Sequence, residues 1–78
     1  MNTLKQNNPD TPVVNRTPTP RELQVLSLVA QGYDSKSAAK KMGISKRTVD
    51  FHLSNVYVKL NVGNRIQAIN IAKAKGYL

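Results

Sequence analysis

The sequence predicts an all-α fold with four helices, and three observations support this prediction. From Thr19 onward, apolar residues recur at the three-to-four-residue spacing of an amphipathic helix. Glycines and capping residues divide this stretch into four such segments, and no alternating apolar and polar run is long enough for a strand. With 78 residues, the chain has room for one domain with one small core.

The composition is strongly basic and lacks cysteine. Twelve Lys and Arg residues oppose four Asp and Glu residues, which gives a net charge of +8. The absence of cysteine excludes disulfides and thiolate metal sites, and the single histidine, His52, leaves no histidine cluster for zinc. No paired carboxylates or nucleophile–base arrangement indicates an enzyme, so we expect no catalytic residue, metal or cofactor. The charge favours a polyanionic partner, although acidic proteins and anionic membrane surfaces also fit the composition.

Residues 1–18 are predicted to form a flexible leader or a linker from an upstream domain, ahead of a folded domain over 19–78. They are polar, contain three of the four prolines and show no helical or strand period. An alternative is that Lys5 and Arg16 contact nucleic acid. No apolar run approaches the roughly 18 residues of a membrane span, and no signal peptide is visible, so we expect a cytoplasmic protein.

The first predicted helix begins with a capping box. Thr19 is a good N-cap, Pro20 suits the first helical position, and Glu22 lies three residues after the cap. Gly32 indicates the end of the helix. We expect burial on more than one side, because one face carries Leu23, Leu26, Val29 and Ala30 while Val25 and Leu28 lie off it.

The next two helices are separated by a tight turn. Asp34 caps a helix over about 35–42 that ends at Gly43, and Ser45 caps a longer helix over about 46–60. Ile44 lies in the turn and is expected to enter the core. The inward residues of these helices are predicted to be Ala38, Ala39 and Met42 in the shorter one, and Val49, Leu53, Val56 and Leu60 in the longer one.

The fourth helix is predicted over about 64–75, with Gly76 after it. Its inward face is predicted to contain Ile66, Ala68, Ile69 and Ala72. Gln67, Ile71 and Ala74 project elsewhere and form a small apolar spot that the core does not use.

A short helix, a tight turn and a longer helix with a basic start are typical of a helix-turn-helix, here at about 35–54. The major groove of B-DNA admits one α-helix. Between Ser35 and Leu60, six basic residues oppose one acid, a local net charge of +5. Lysines can simply solvate a helix, but here the charge coincides with the turn, which favours double-stranded DNA. The candidate phosphate contacts are Lys36, Lys40, Lys46, Arg47, Thr48, His52 and Lys59.

The outward face of the third helix contains the candidate base contacts Asp50, Phe51, Ser54 and Asn55. Phe51 lies about 200° around the helix from Val49, so it either contacts a thymine methyl group or covers its own helix or the leader. Asp50 either accepts from a cytosine amino group or pairs with a neighbouring Lys46 or Arg47, and the pairing is slightly favoured. His52 is either a packing residue or a phosphate contact.

The chain also resembles a known family at these residues, in the runs TPREL and QGYDSKSAAKKMGISKRTVDFHLSNVYVKLNVGNRIQAI. It is similar to the LuxR/GerE (FixJ/NarL-type) DNA-binding domain of bacterial transcription regulators, over about 19–78. The resemblance implies a four-helix bundle whose last helix pairs two copies on dyad-symmetric DNA. By position it places base contacts at Asp50, Phe51 and Ser54, phosphate contacts near Thr48, His52 and Lys59, and the pairing face at Gln67, Ile71 and Ala74.

Several positions depart from the family pattern. Pro18 replaces a usual Leu, and Ser37 and Ala38 replace an acid and a larger aliphatic residue. Val58 stands where a basic residue is common, which removes one expected phosphate contact. Asn61 replaces a frequent Gly, and Asn tolerates the left-handed conformation. Because the family's larger members carry a sensing domain in front, this chain is either a stand-alone regulator or an excised output domain.

Two functional hypotheses follow. The first is a sequence-specific transcription regulator that binds DNA as a symmetric homodimer, with RNA polymerase or a larger regulator as further partners. The second is a protein-interaction module that forms mixed dimers with a larger regulator through the fourth helix, without reading DNA itself. Ile71 off the core and Asp50 on the outward face of the third helix motivate the second.

Overall fold

The computed structural model describes residues 17–78, and this part of the chain contains four α-helices and no strand. They are α1 (Pro20–Ala30), α2 (Ser35–Met42), α3 (Lys46–Leu60) and α4 (Arg65–Ala74). The predicted all-α fold and helix order are confirmed, and α4 is one residue shorter at each end than expected. The predicted leader lies outside the described residues except for Thr17 and Pro18, and Pro18 is buried.

The residue immediately before each helix caps it: its side chain accepts a hydrogen bond from the backbone N–H of the third helical residue. The four N-caps are Thr19, Asp34, Ser45 and Asn64. A cap of this kind typically stabilises a helix by about 1 kcal/mol. At Asp34 the bond from the Ser37 backbone N–H also lowers the pKa of the carboxyl group. These local contacts explain why the helix starts were readable from the sequence.

Helix α3 lies at the centre of the domain and packs against each of the other three helices. Its predicted inward stripe is confirmed, because Val49, Leu53, Val56 and Leu60 are all buried. The opposing core residues are Val25, Leu26, Leu28 and Val29 of α1, Ala38 and Ala39 of α2, and Ala68 and Ala72 of α4. Alanines on α2 and α4 allow their backbones to approach α3 closely. The other three helices thus cover the inward stripe of α3, and its outward face stays exposed.

Three expectations about inward and outward residues were wrong or incomplete. Ile66 was predicted in the core but its side chain is 68% exposed, because it lies about 200° around α4 from the buried Ala68. Ala30 is also exposed, since it falls at the last position of α1 beyond the contact with α3. Ile71 was predicted to project away, yet it is half-buried and packs against the core, because it lies only about 60° from Ala68.

Candidate nucleic-acid interface

The turn between α2 and α3 fixes the start of the candidate interface. Gly43 adopts the left-handed conformation (φ 70°), and the backbone N–H of Ile44 donates to the Ala39 carbonyl at 3.0 Å. The half-buried Ile44 side chain packs against the core. Ser45 Oγ then accepts from the Thr48 backbone N–H at 3.0 Å and lies 2.9 Å from Thr48 Oγ1. The helix-turn-helix geometry is therefore held by local hydrogen bonds and one apolar anchor.

The outward face of α3 carries an unusual aromatic residue. Phe51 is 62% exposed, and its ring centroid lies 6.0 Å from that of His52 at an interplanar angle of 53°. Arg47 and Ser54 on the same face are exposed, and Asn55 is half-buried. The sequence left Phe51 either to contact a thymine methyl group or to cover its own helix or the leader. Its own helix covers the ring incompletely, because most of the ring remains in solvent.

Asp50 is paired within the protein, as the favoured alternative predicted. Its Oδ2 atom accepts from Lys46 Nζ at 2.8 Å, and both side chains remain largely exposed. The bond from Lys46 and a second bond from the Ser35 side chain lower the pKa of Asp50. Sequence reasoning missed Ser35, which belongs to the first turn of α2. The acid therefore stays ionised beside a cation, and Lys46 reaches a phosphate only by sharing or leaving this contact.

His52 lies at the edge of the core and is half-buried. Its Nδ1 atom is buried and has no hydrogen-bond partner among residues 17–78. An unpaired buried N–H is rarer in proteins than an unpaired acceptor, which favours the tautomer with its hydrogen on Nε2. In this tautomer the ring packs through one edge and has one N–H to donate. The structure shows the packing role that the sequence offered for this residue, and the phosphate contact stays a prediction.

Lys59 makes a contact that the sequence did not predict. Its Nζ atom lies 2.8 Å from Glu22 Oε1, with side-chain exposures of 20% for Lys59 and 5% for Glu22. The same Glu22 oxygen accepts from the Thr19 backbone N–H at 2.9 Å. Burial alone would raise the pKa of Glu22, but the bonds from Lys59 and Thr19 outweigh it and hold this pKa below its ordinary value. The contact joins α1 to α3 and counts against the predicted phosphate role of Lys59.

A signal for this buried carboxylate was present in the sequence. Glu22 precedes Val25, Leu26 and Val29 by three, four and seven residues, so it shares their helical face. Because the capping box already accounted for Glu22, its position next to the core was not predicted from the sequence.

The remaining basic residues around α2 and α3 are free of ion pairs within residues 17–78. The two salt bridges of this part of the chain engage Lys46 and Lys59. The exposed cations without such a partner are Lys36, Lys40, Lys41 and Arg47. They give this side of the helix-turn-helix a net positive charge that a phosphate backbone would neutralise, although Lys36 also interacts electrostatically with Asp34.

A shallow groove of about 340 Å³ runs beside α4 and is lined by Asn61, Val62, Gln67, Asn70 and Ile71. The Gln67 side chain is already engaged, because its Oε1 atom accepts from the Gly63 backbone N–H at 2.8 Å. Ile71 forms part of the floor of the groove, and Ala74 is exposed beyond it. The predicted pairing residues therefore share one side of α4. Within the described residues, Gln67 is hydrogen-bonded and Ile71 packs against the core, whereas Ala74 is simply exposed.

Residues 18–72 match the family model described as bacterial regulatory proteins, luxR family. The chain belongs to this family. The match covers all of α1 to α3 and most of α4, including every candidate base and phosphate contact between Lys36 and Lys59. In the described residues no group of histidine and acidic side chains is arranged to hold a metal, and no helix is long and apolar enough to cross a membrane.

Curated relatives of this LuxR-family chain are transcriptional regulators. Transcriptional regulatory protein ComA of Bacillus subtilis (strain 168) is 40% identical over 60 residues, which cover 77% of this chain and 28% of that protein. HTH-type transcriptional regulator MalT of Vibrio campbellii is 36% identical over 77 residues, which cover 91% of this chain and 8% of that protein. The chain thus spans less than a third of the length of either relative.

Solved structures show the same fold. The transcription factor GerE superposes with a TM-score of 0.74 at 37% identity, covering 77% of this chain and 90% of that one. The response regulator ChrA of a heme-sensing two-component system gives a TM-score of 0.76 at 35% identity, covering 80% of this chain and 31% of that one. The resemblance stated from the motifs is confirmed, and this LuxR-family domain has the fold that it implied.

Proposed function

We propose that this LuxR-family domain is a sequence-specific transcription regulator that inserts α3 into the major groove of DNA. The observation that carries the proposal is the division of α3 into two faces. The inward stripe from Val49 to Leu60 is buried, whereas the outward face presents Arg47, Phe51 and Ser54 to solvent. A helix fixed to a scaffold on one side and exposed on the other meets the requirement for reading base edges.

Phosphate contacts are expected on both sides of the inserted helix. Lys36, Lys40 and Arg47 are exposed cations without an ion pair in the described residues. Thr48 and the proposed Nε2–H of His52 add neutral donors, and Lys46 adds a cation once it shares its contact with Asp50. Such contacts hold the domain in register on the duplex without reading sequence. Asp50, Phe51, Ser54 and Asn55 remain the candidate base contacts.

We further propose that two copies bind dyad-symmetric DNA through the side of α4 that carries Gln67, Ile71 and Ala74. A symmetric dimer places the same patch against itself, and the groove beside α4 is lined by the apolar Val62 and Ile71 together with amide side chains. Because Gln67 is engaged by Gly63 and Ile71 is half-buried, the available apolar area is small. We expect free monomers that pair when adjacent half-sites hold them together. Recruitment of RNA polymerase or a larger regulator, in the cytoplasm, would follow from this binding.

Selection of bound sites from random double-stranded DNA tests the central proposal. A regulator of this kind should enrich a dyad-symmetric sequence with two half-sites about one helical turn apart. Enrichment of a single half-site would retain DNA reading and remove the dimer. Failure to enrich any sequence, at low salt and with folded protein, would contradict the proposed function.

Ala74→Glu is expected to weaken binding to a complete two-half-site DNA by tenfold or more. The change places like charges next to each other in the paired α4 helices, where such charges repel. Binding to a single half-site should stay unchanged, because Ala74 lies away from α3. Ala30→Glu is the matched control, since Ala30 is an exposed residue at the end of α1. Gel-shift titrations on the two DNAs measure the difference, and equal losses on both would exclude the pairing role.

The second hypothesis, a protein-interaction module, is favoured by one observation. Ile66 is 68% exposed on α4, and no DNA contact is proposed for it. Sedimentation of the chain alone, with selected DNA and with a larger regulator of the family distinguishes the two functions. A stable complex with the regulator and no shift on DNA would favour the interaction module.

A further inference from the structure

We propose that Phe51 recognises the 5-methyl group of a thymine, so that each half-site owes part of its affinity to one methyl group. This inference rests on the proposed function, because it assumes that α3 lies in the major groove. It names the chemical group that this particular helix reads.

The Phe51 ring is exposed where a recognition helix contacts DNA. Phe51 is 62% exposed although it follows the N-cap Ser45 by only six residues, in the half of α3 that enters the groove in helix-turn-helix proteins. The ring lies 6.0 Å from the ring of His52, and one edge of His52 is buried at Nδ1. This separation lies within the range of aromatic contacts, and the exposed part of the Phe51 ring stays available to DNA.

Thymine differs from the other bases in the group that it presents in the major groove. Guanine, adenine and cytosine present hydrogen-bond donors and acceptors at their major-groove edges, whereas thymine presents a methyl group beside one acceptor. A phenyl ring offers no hydrogen bond, so it leaves a polar base edge desolvated and unpaired. Contact with a methyl group instead removes apolar surface of both partners from water. Thymine is therefore the base that Phe51 favours.

The side chains around Phe51 offer few hydrogen bonds that would select a particular base. Asp50 and Lys46 pair at 2.8 Å, and the cation of this pair is placed on a phosphate, so it is not assigned to a guanine acceptor. The Ser54 hydroxyl can donate or accept and is compatible with several bases. Arg47 is the exposed cation on this face, and it lies one turn closer to the start of α3. At the level of Phe51, discrimination between bases must therefore come largely from the apolar contact.

The test removes single methyl groups from the DNA. In the sequence obtained by selection, each thymine is replaced in turn by deoxyuridine, which pairs identically and lacks the 5-methyl group. Replacement in one of the two half-sites is expected to weaken binding of the unmodified protein about fourfold, and the symmetric replacement in both half-sites about fifteenfold. Where cytosine replaces that thymine, 5-methylcytosine should restore about the same factor.

Two variants connect the effect to Phe51. Phe51→Ala should bind thymine and uracil forms of the site equally, because the group that distinguishes them is gone. Val58→Ala is the matched control: Val58 is 68% exposed and lies within about 20° of Phe51, but two turns further along α3. It should discriminate thymine from uracil like the unmodified protein.

The outcomes separate this inference from the proposed function. If no DNA sequence is enriched, the proposed function itself fails. If a site is enriched but uracil at every position binds like thymine, or Phe51→Ala keeps the full discrimination, the methyl contact is wrong and DNA reading stands. The uracil experiment uses the unmodified protein, so its result does not depend on the folding of a variant.

Discussion

Lys59→Ala is expected to lower the free energy of unfolding by about 1.5 to 3 kcal/mol, because it removes a charged hydrogen-bond donor from a carboxylate that is nearly buried. The variant leaves the Glu22 carboxylate, 5% exposed, without its cation. Because a small domain is stable by only about 5 to 15 kcal/mol in total, this loss is a large fraction of the stability and should clearly lower the denaturation midpoint. Urea denaturation followed by circular dichroism measures the change.

Three further variants show whether the buried charge is the cause. Glu22→Gln in the Lys59→Ala background should recover part of the lost stability, because a neutral amide tolerates burial better than an unpaired carboxylate. Lys59→Met keeps the aliphatic stem and isolates the charge. Lys46→Ala is the matched control, since it breaks the other, exposed ion pair and should move the midpoint little. A loss with Lys59→Ala no larger than with Lys46→Ala would contradict the argument.

The Glu22 contact also predicts the direction of acid sensitivity. The pKa of Glu22 is lowered in the folded protein, so the folded state releases its proton at a lower pH than the unfolded chain. The stabilisation from this group is complete above the ordinary pKa of a glutamate and is lost as the pH falls through the lower, folded value. Unfolding midpoints measured across this acidic range should fall in the unmodified protein. In Glu22→Gln that part of the pH dependence should be absent.

The features that were readable from the sequence are those determined by neighbouring residues. Thr19, Asp34, Ser45 and Asn64 each cap a helix through a residue three positions later, so their effect needs no tertiary structure. The buried stripe of α3 follows from a spacing within one helix. The Lys46–Asp50 pair belongs to the same class, because its partners lie one turn apart.

The features that sequence reasoning missed depend on contacts between helices. Lys59 meets Glu22 only because α1 and α3 cross, and 37 positions separate the two residues. Ser35 approaches Asp50 because the turn at Gly43 folds α2 onto α3. Ile66 was placed in the core because an isoleucine on an amphipathic helix usually packs inward, but α4 faces the core with Ala68 and Ala72, flanked by the half-buried Ile69 and Ile71. Helical periodicity gives the direction of a side chain and not the position of the neighbouring helix.

Contacts between helices also change which residues are candidate phosphate contacts, because they engage Lys59. Periodicity put Lys59 on the same flank as Thr48 and His52, and the fold instead directs its ammonium to Glu22. The lysines and arginine nearer the turn keep their charges free. The positive surface is therefore concentrated around α2 and the start of α3, where a phosphate backbone would pass an inserted helix.

The affinity for the selected DNA site is expected to fall about a thousandfold when the salt concentration rises from 50 to 200 mM. Lys36, Lys40 and Arg47 of each copy are the cations without an ion pair that we place on phosphates, which makes about six contacts for a dimer. Each neutralised phosphate releases condensed counterions and contributes about 0.9 to the slope of log affinity against log salt. Fluorescence-anisotropy titrations at several salt concentrations measure this slope.

Arg47→Gln should reduce the slope by about 1.8, since it removes one phosphate contact from each of the two copies. Lys73→Gln provides the matched control: it removes the same formal charge from an exposed residue in the last turn of α4, far along the chain from the proposed contacts. If both variants lower the slope equally, the net charge of the domain governs binding and the positions of the cations do not matter. A selective effect of Arg47→Gln would instead place a phosphate at the start of α3, as insertion of that helix into the groove requires.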